Sequence, residues 1–292
     1  MTTIKDLPIG ARICESKSGT VFVIADHHHT GWNGTTVIAD RVCLISCIDA
    51  AEPDNPDKDI AGKGCNRYSL SNINQWLNSA ADNWYQPQHE FDAPPREELI
   101  SMRQEVFESR LFDPDGTFPP PYSYLDQPGY LARFAQDFRE AILVTQVPCF
   151  GPNDPDIIHY GPPVAENVPC RAFLPSASET GLEDEVRWEG YLIRLFLDPR
   201  MRMCAPENAA IHKEVSFDYK QSAVALWLRS PLGGSSCMGK IYQVEHKFGD
   251  VVGATLMLHP VNYAAGIRPL MNLDDSLRVT GRSEDGIYLI QA

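Results

Sequence analysis

The sequence lacks most of the signatures that identify a cofactor, a compartment or a nucleic-acid partner. It has no CxxC pair, no G-x-G-x-x-G fingerprint and no G-x-x-x-x-G-K-[ST] loop. No apolar run reaches the roughly 18 residues that span a membrane, and the opening MTTIKDLPIG has no signal-peptide pattern. Basic residues are few, since 25 Lys and Arg stand against 39 Asp and Glu. These absences predict cytoplasmic synthesis, no membrane insertion and no nucleic-acid partner, because phosphate binding needs clustered Lys and Arg.

Eight cysteines are present, but their spacing matches neither a disulfide framework nor a zinc site. The closest pair, Cys43 and Cys47, lies in the apolar run VCLISC, which is typical of a protein core. We therefore expect free cysteines, several of them buried. The others are scattered: Cys14, Cys65, Cys149, Cys170, Cys204 and Cys237.

The most conspicuous polar feature is a run of three histidines, His27 to His29, within DHHHTGWNG. Neighbouring side chains on a strand point to opposite faces, so three in a row do not readily share one metal. The run predicts a solvated turn, with a weak zinc or nickel site on His27 and His29 as the alternative. No G-x-S-x-G elbow supports a serine nucleophile. The sequence therefore predicts no enzyme, no metal and no cofactor.

A length of 292 residues with 43% hydrophobic and 10% aromatic residues is ample for a buried core. Short Val-, Ile- and Thr-rich runs predict strands, and apolar residues three and four apart predict helices. The predicted class is α+β, with short antiparallel strands, two or three helices and long ordered loops in one elaborated domain, 1–292. Predicted strands are 20–26, 35–47, 171–175, 225–236, 240–246, 251–260, 263–273 and the tail; predicted helices are 69–79, 92–112, 130–144 and 183–198. The N-terminal β part covers about 1–50, the loop-rich insertions about 92–129 and 149–169, and the closing strands about 225–292.

Several phrases, in order along the chain, resemble one family of uncharacterised proteins. They are IKDLPIGARI near the start, NRYSLSNINQWLNS followed by WYQPQHEFDAPP, GYLARFAQDFREAIL, RAFLPSASETGL, and finally LWLRSP and GIRPLMNL. Their order and spacing resemble the domain of unknown function DUF6273, which occurs in bacterial genomes and their prophages.

The resemblance implies a fold. The LWLRSP and GIRPLMNL phrases are similar to the closing strands of C-type-lectin-like domains, a scaffold shared by phage receptor-binding proteins and formylglycine-generating enzymes. Trp227 and Leu228 alternate across a strand, so we expect one of them to pack inward. Arg229 and Arg268 each lie near a proline, Pro231 and Pro269. We expect both arginines to tie loops together through carboxylates or carbonyls.

The same resemblance implies a function. We expect a non-enzymatic phage or prophage virion protein that attaches the particle to a host receptor or glycan from a tail, fibre or capsid exterior. The alternative is a decoration or scaffold protein that binds only other virion proteins. A minor alternative is a copper-dependent oxidase of the formylglycine-generating type, for which Cys237 has only the distant Cys204 as a partner. Virion attachment proteins are usually symmetric, so we expect a homo-oligomer assembled into the particle.

Any ligand surface is expected on the loops between the closing strands, where polar and aromatic residues look exposed. Aromatic and Arg side chains are the usual anchors of binding surfaces. The alternative is that these are solvated turn residues. The candidates are Arg229, Ser235, Ser236, Tyr242, His246, Lys247, Asp250, Asn262 and Tyr263.

Overall fold

The computed structural model describes residues 2–101, 123–150, 165–182, 189–202, 225–231, 237–245 and 251–292. Within these ranges the chain is a mixed α+β protein with three sheets and short helices. The strands are β1 Arg12–Glu15, β2 Val21–His27, β3 Thr35–Ala39, β4 Leu44–Ser46, β5 Thr145–Phe150, β6 Ala165–Cys170, β7 Ala172–Phe173, β8 Leu226–Pro231, β9 Cys237–Glu245, β10 Val251–Pro260, β11 Ala265–Ile267, β12 Leu270–Leu273, β13 Arg278–Arg282 and β14 Tyr288–Gln291. The α-helices are α1 Lys58–Lys63, α2 Asn72–Leu77, α3 Gln136–Ala141 and α4 Ala177–Thr180, with 3-10 turns at Ile4–Asp6, Tyr68–Leu70, Glu97–Leu99, Tyr130–Arg133, Arg194–Leu197 and Pro199–Arg202.

Two connections of the chain link the two larger sheets. The seven-stranded sheet has the order β13-β14-β1-β2-β3-β12-β7, the five-stranded sheet has the order β10-β9-β8-β11-β4, and the third sheet is the hairpin β5-β6. The chain leaves the first sheet after β3 and enters the second as β4; it returns from β11 to β12. The two crossings lie against each other, since Cys43 N donates to Ile267 O and Ala39 N to Pro269 O, both at 3.0 Å. The predicted single strands 35–47 and 263–273 are therefore each two strands.

Burial explains why the central strands are apolar throughout. All five residues of β3 and all six of β8 are buried, because both faces of these strands are covered. The edge strand β13 instead alternates exposed and partly buried residues.

The predicted helix 69–79 is confirmed as α2, which begins at its cap Ser71, whose Oγ accepts from Asn74 N at 3.3 Å. The predicted helix 130–144 is wrong as a continuous element. Phe134 and Ala135 are extended and separate a 3-10 turn from α3. Its apolar stripe is nevertheless core as expected, and the rings of Phe134 and Phe138 both pack on Phe22.

Two more predicted elements change in the structure. In the described part of 183–198, only Arg194–Leu197 is helical, as one 3-10 turn. The segment predicted as a loop at 149–169 begins and ends in the β5-β6 hairpin. Pro148 and Pro169 occupy strand positions there, which a two-stranded sheet with open edges tolerates. Most of the predicted helix 92–112 lies outside the described residues. Among the described residues, no helix is long and apolar enough to cross a bilayer.

Candidate functional site

Two of the recognised sequence phrases meet at a buried ion pair. Arg229 lies on β8 and Glu179 lies in α4, and the side chains of both are 0% exposed. The two guanidinium Nη atoms contact the two carboxylate oxygens at 2.6 and 2.7 Å. This two-pronged geometry is the strongest form of an Arg–carboxylate pair.

The local sequence positions Glu179. Ser176 Oγ accepts from Glu179 N at 3.1 Å, while Glu179 Oε2 accepts from Ser176 N at 3.0 Å, which is a capping box. Gly190 lies against the carboxylate with φ +123°, and a Cβ there would come within 2.8 Å of Glu179 Oε1. A side chain at position 190 would therefore displace the carboxylate.

Arg229 also hydrogen-bonds backbone carbonyls. Its Nε donates to Pro148 O at 3.1 Å, Nη1 to Leu174 O at 2.6 Å and Nη2 to Glu189 O at 2.9 Å. Burial opposes its charge, but the Glu179 carboxylate outweighs burial and raises the pKa of Arg229. The expectation that this arginine ties loops together is confirmed, whereas the expectation that it is exposed is wrong.

The second closing phrase has the same role at the sheet crossing. Arg268, 3% exposed, donates from Nε to Ala39 O at 2.9 Å and from Nη1 to Met201 O at 2.6 Å. Pro269 accepts from Ala39 N at 3.0 Å. Trp227 and Leu228 are both buried, whereas the strand alternation predicted that one of them packs inward. The covered second face of β8 explains the difference.

The strands β9 and β10 form a long hairpin in the part of the sequence that holds the remaining ligand candidates. Cys237 pairs with Pro260 and Glu245 with Val251, so the two ends of β9 are about 26 Å apart, at about 3.3 Å per residue. Asn262 and Tyr263 follow the Pro260 end. Candidates outside the described residues, or whose side chains are, are Ser235, Ser236, Tyr242, His246, Lys247 and Asp250.

Asn262 is another candidate that the structure places in the interior. It is 3% exposed, and its Nδ2 donates to Gly62 O at 3.2 Å and to Ser101 Oγ at 3.3 Å. Tyr263 is partly buried, and its carbonyl accepts from Trp227 Nε1 at 3.2 Å. The expected exposure is therefore wrong for Asn262, and its contact with Gly62 fastens the turn between β10 and β11 to α1.

The three histidines have three different partners. His27 contacts Leu7 O and Thr35 Oγ1, at 2.8 and 3.1 Å, while the exposed His28 lies 3.1 Å from an oxygen of Asp275. His29 is 4% exposed, so the expectation of a fully solvated turn is wrong. His28 has φ +48°, the left-handed conformation that turns the chain between the other two rings.

Asp26 anchors that turn to the segment 189–202. One carboxylate oxygen contacts His29 Nδ1 at 2.9 Å, and the other accepts from Arg194 Nε. Arg194 Nη2 also donates to His27 O at 2.8 Å. Burial opposes ionisation of Asp26, but the hydrogen bonds from His29 and Arg194 outweigh burial and lower its pKa.

Three further carboxyl groups, Asp49, Glu52 and Asp92, form what we call the acid cluster. Asp49 is 2% exposed and accepts from Cys65 N and Asn72 N, each at 3.0 Å. Asp92 accepts from Asn72 Nδ2 at 3.2 Å. The cluster therefore joins the loop after β4, the start of α2 and the segment 85–92.

Charge is poorly compensated in the acid cluster. Burial and mutual repulsion raise the pKa of Asp49 well above its usual range, despite its two backbone donors. Burial also raises the pKa of Glu52, against hydrogen bonding from Asn55 and the charge of His89. The pKa of Asp92 is raised by burial too. Carboxylates crowded in a medium of low polarity do not all ionise together.

An open groove of about 630 Å³ lies between α3 and the start of β13. Its lining includes Asp137, Glu140, Asp274 and Arg278, so it is mainly acidic. It contains none of the residues that the sequence indicated as ligand contacts.

Metal-binding potential is limited in the part of the chain that the structure describes. There, no three His, Cys, Asp or Glu side chains are arranged to hold a metal ion. Cys204 and the side chain of Cys237, the pair weighed for copper, lie outside the described residues. The free thiols in the described ranges are Cys14, Cys43, Cys47, Cys65, Cys149 and Cys170, of which Cys47, Cys149 and Cys170 are buried.

Glu179, Asp26 and the acid cluster were not predicted from the sequence. A signal for Glu179 exists, because Ser176 with a glutamate three residues later is the pattern of a capping box. No local pattern identifies Asp26 or the acid cluster, because their partners come from distant parts of the chain.

Comparison with known proteins gives one positive result. No curated protein and no solved structure matches the chain. The family model described as a domain of unknown function, DUF6273, matches residues 33–275. This range holds the central helix phrase, the α4 turn and both closing phrases, which confirms the expected family. The chain therefore belongs to the family described as domain of unknown function DUF6273.

Proposed function

We propose that this chain is a non-enzymatic structural protein of a phage or prophage particle, with a C-type-lectin-like scaffold that presents a surface for attachment to the host. One observation carries the proposal. The charged side chains of the two closing phrases, Arg229 and Arg268, are buried and bonded to other parts of the scaffold. Buried charged residues with this role hold the shape of a scaffold, and a binding surface is then expected on its loops.

The contacts of Arg229 support a rigid scaffold. It joins β8 to α4, to the hairpin strand β5 and to the segment that begins at Glu189. Breaking such a buried pair leaves an uncompensated charge, which is strongly unfavourable. A platform that resists deformation loses little entropy when its loops bind a partner.

The register of the β9–β10 hairpin supports a choice between two candidate surfaces. Its two ends are too far apart to contact one small glycan, so we treat each end as a separate candidate. At one end Tyr263 is partly exposed beside a buried Asn262. At the other end the sequence offers His246, Lys247 and Asp250. We propose the Tyr263 end, because an aromatic ring on a fixed backbone is a favourable anchor.

The test is sedimentation of the purified chain with cells of the bacterium that carries its gene. We expect the wild type to sediment with the cells and Tyr263→Ala to weaken binding about tenfold, as loss of an anchor does. Tyr191→Ala is the matched control, because Tyr191 is also a partly exposed tyrosine, at 46%, in a different segment. Lys247→Glu tests the segment between β9 and β10.

A wild-type chain that does not bind cells but co-assembles with tail or capsid proteins contradicts attachment and supports the decoration role. Stoichiometric copper in the purified protein contradicts the non-enzymatic proposal.

A further inference from the structure

The acid cluster contains a carboxylate oxygen without a hydrogen bond. Glu52 is 0% exposed, and Asn55 Nδ2 donates to its Oε2 at 2.6 Å. Its Oε1 accepts no hydrogen bond from a described residue. His89 Nε2 lies 3.3 Å from that oxygen, within ion-pair distance but outside hydrogen-bond geometry. A buried charge without a partner is unfavourable, whereas a proton on this oxygen removes the charge.

The groups around the acid cluster do not supply a positive charge that would compensate its carboxylates. The titratable side chains that face it are Cys47, Cys65, Tyr85 and Tyr124, all neutral near pH 7 because burial raises their pKa values. Arg67 lies beyond Cys65 and is paired with Glu166 at 2.9 Å. Among the described residues, His89 is the one cationic group within ion-pair distance of the three carboxyls.

Asp92 controls the shape of the segment 85–92. Its Oδ2 accepts from Gln88 N at 2.7 Å, and its carbonyl accepts from Tyr85 OH at 3.0 Å. Asn72 Nδ2, on α2, donates to its Oδ1 at 3.2 Å. Repulsion that displaces Asp92 from Asp49 and Glu52 therefore removes the contacts that fold this segment onto α2.

We propose that the acid cluster and His89 form a proton-operated latch, which holds the segment 85–92 against the loop 49–55 when protonated and releases it as the pH rises. Raising the pH ionises the three carboxyls and increases the repulsion between them. The sign agrees with the raised pKa values of Asp49, Glu52 and Asp92, because a raised pKa favours the protonated folded state.

Hydrogen exchange measured by mass spectrometry tests the latch in the full chain. After correction for intrinsic exchange rates, we expect the protection of residues 85–92 to fall at least about tenfold between about pH 5 and pH 8, since one pKa unit is a tenfold change. The segment 21–27 of β2, which lacks a raised-pKa carboxyl, serves as the internal reference.

Two variants make the test decisive. Glu52→Gln keeps an acceptor for Asn55 but does not ionise, so residues 85–92 should stay protected at pH 8. His89→Gln removes the cation from a position that is 26% exposed, so protection at pH 5 should fall toward the pH 8 value. Asp198→Asn is the control, since Asp198 pairs with Arg200 at the surface and should leave the profile unchanged. A pH-independent wild type, or a wild-type profile in both Glu52→Gln and His89→Gln, overturns the proposal.

Discussion

Two buried acidic regions of this chain have opposite electrostatics. Glu179 is held by both Nη atoms of Arg229, with each donor at 2.6 or 2.7 Å. The acid cluster has three carboxyls and a single imidazole at 3.3 Å. In the first region a guanidinium contacts both carboxylate oxygens, whereas no described arginine or lysine pairs with the acid cluster. Burial alone therefore does not distinguish a carboxylate with a structural role from one that titrates. The presence of a neighbouring cation distinguishes them.

The largest expected effect comes from breaking the matched pair. Arg229→Met should lower the free energy of unfolding by about 3–5 kcal/mol, because Glu179 is left buried without a partner. Urea denaturation measures it. The double variant Arg229→Met with Glu179→Gln should recover part of the loss, since both charges are then gone. A loss below about 1 kcal/mol in the single variant would show that water or another cation reaches Glu179.

A half-buried pair should give an intermediate effect. Asp26→Asn should cost about 2 kcal/mol, because Arg194 and His29 each lose a charged acceptor. The segment 189–202 should become more sensitive to limited proteolysis, since Asp26 fastens it to β2. Asp40→Asn, which removes a more exposed carboxylate paired with Arg12, is the control and should leave proteolysis of 189–202 unchanged. Equal cleavage of the wild type and Asp26→Asn would contradict the anchoring role.

The pH dependence of stability should show both kinds of acid. Asp26 and Glu166 have lowered pKa values, so their contribution is present above about pH 4 and is lost as the pH falls through the lower folded-state value. The acid cluster has raised values, so its contribution is present below about pH 4 and is lost as the pH rises. Thermal unfolding should therefore be most resistant near about pH 5. Glu52→Gln should move this maximum toward neutral pH. An unmoved maximum would contradict the conclusion that ionisation of Glu52 lowers stability as the pH rises.

The smallest effect is expected at the surface. Arg200 Nη2 lies 2.6 Å from Asp198 Oδ2, but the arginine side chain is 75% exposed. Asp198→Asn should change stability by less than about 0.5 kcal/mol, because solvent screens the pair. The stability of the same variant should be measured at low and high salt. A loss of unfolding free energy above about 1 kcal/mol would contradict the expectation that solvent screens the Asp198–Arg200 pair.

The sequence was a good guide where local pattern and burial agree. The α+β class, the strand at 21–27 and the capped helix α2 follow from alternation, Val and Ile content and Ser71. It misled where packing overrides local preference. The stripe from Tyr130 to Ile142 has helical spacing, yet the rings of Phe134 and Phe138 reach the core from a broken helix. A continuous helix and a broken helix can both bury this apolar stripe, so the spacing of apolar residues does not distinguish the two.

The candidate site was predicted less well, because exposure is a property of the whole fold. Arg229 was correctly expected to tie loops together, but nothing local indicates that β8 is covered on both faces. The acid cluster could not be predicted from the sequence for a related reason. Asp49 and Asp92 belong to segments that are distant in the sequence and meet at α2 and at the Glu52–His89 contact, and each alone looks like an ordinary loop aspartate.

The paired crossings between the two larger sheets constrain how the chain reaches its native state. β3 and β4 lie near the start of the sequence, and their partners β12 and β11 lie more than two hundred residues later. The second sheet is not complete until residue 267 is available, and the larger sheet not until residue 291, so the early strands have unpaired edges while the intervening chain is synthesised. Such long-range closure makes folding slow and exposes intermediates to aggregation. We expect the newly made chain to depend on chaperones more than its final stability suggests.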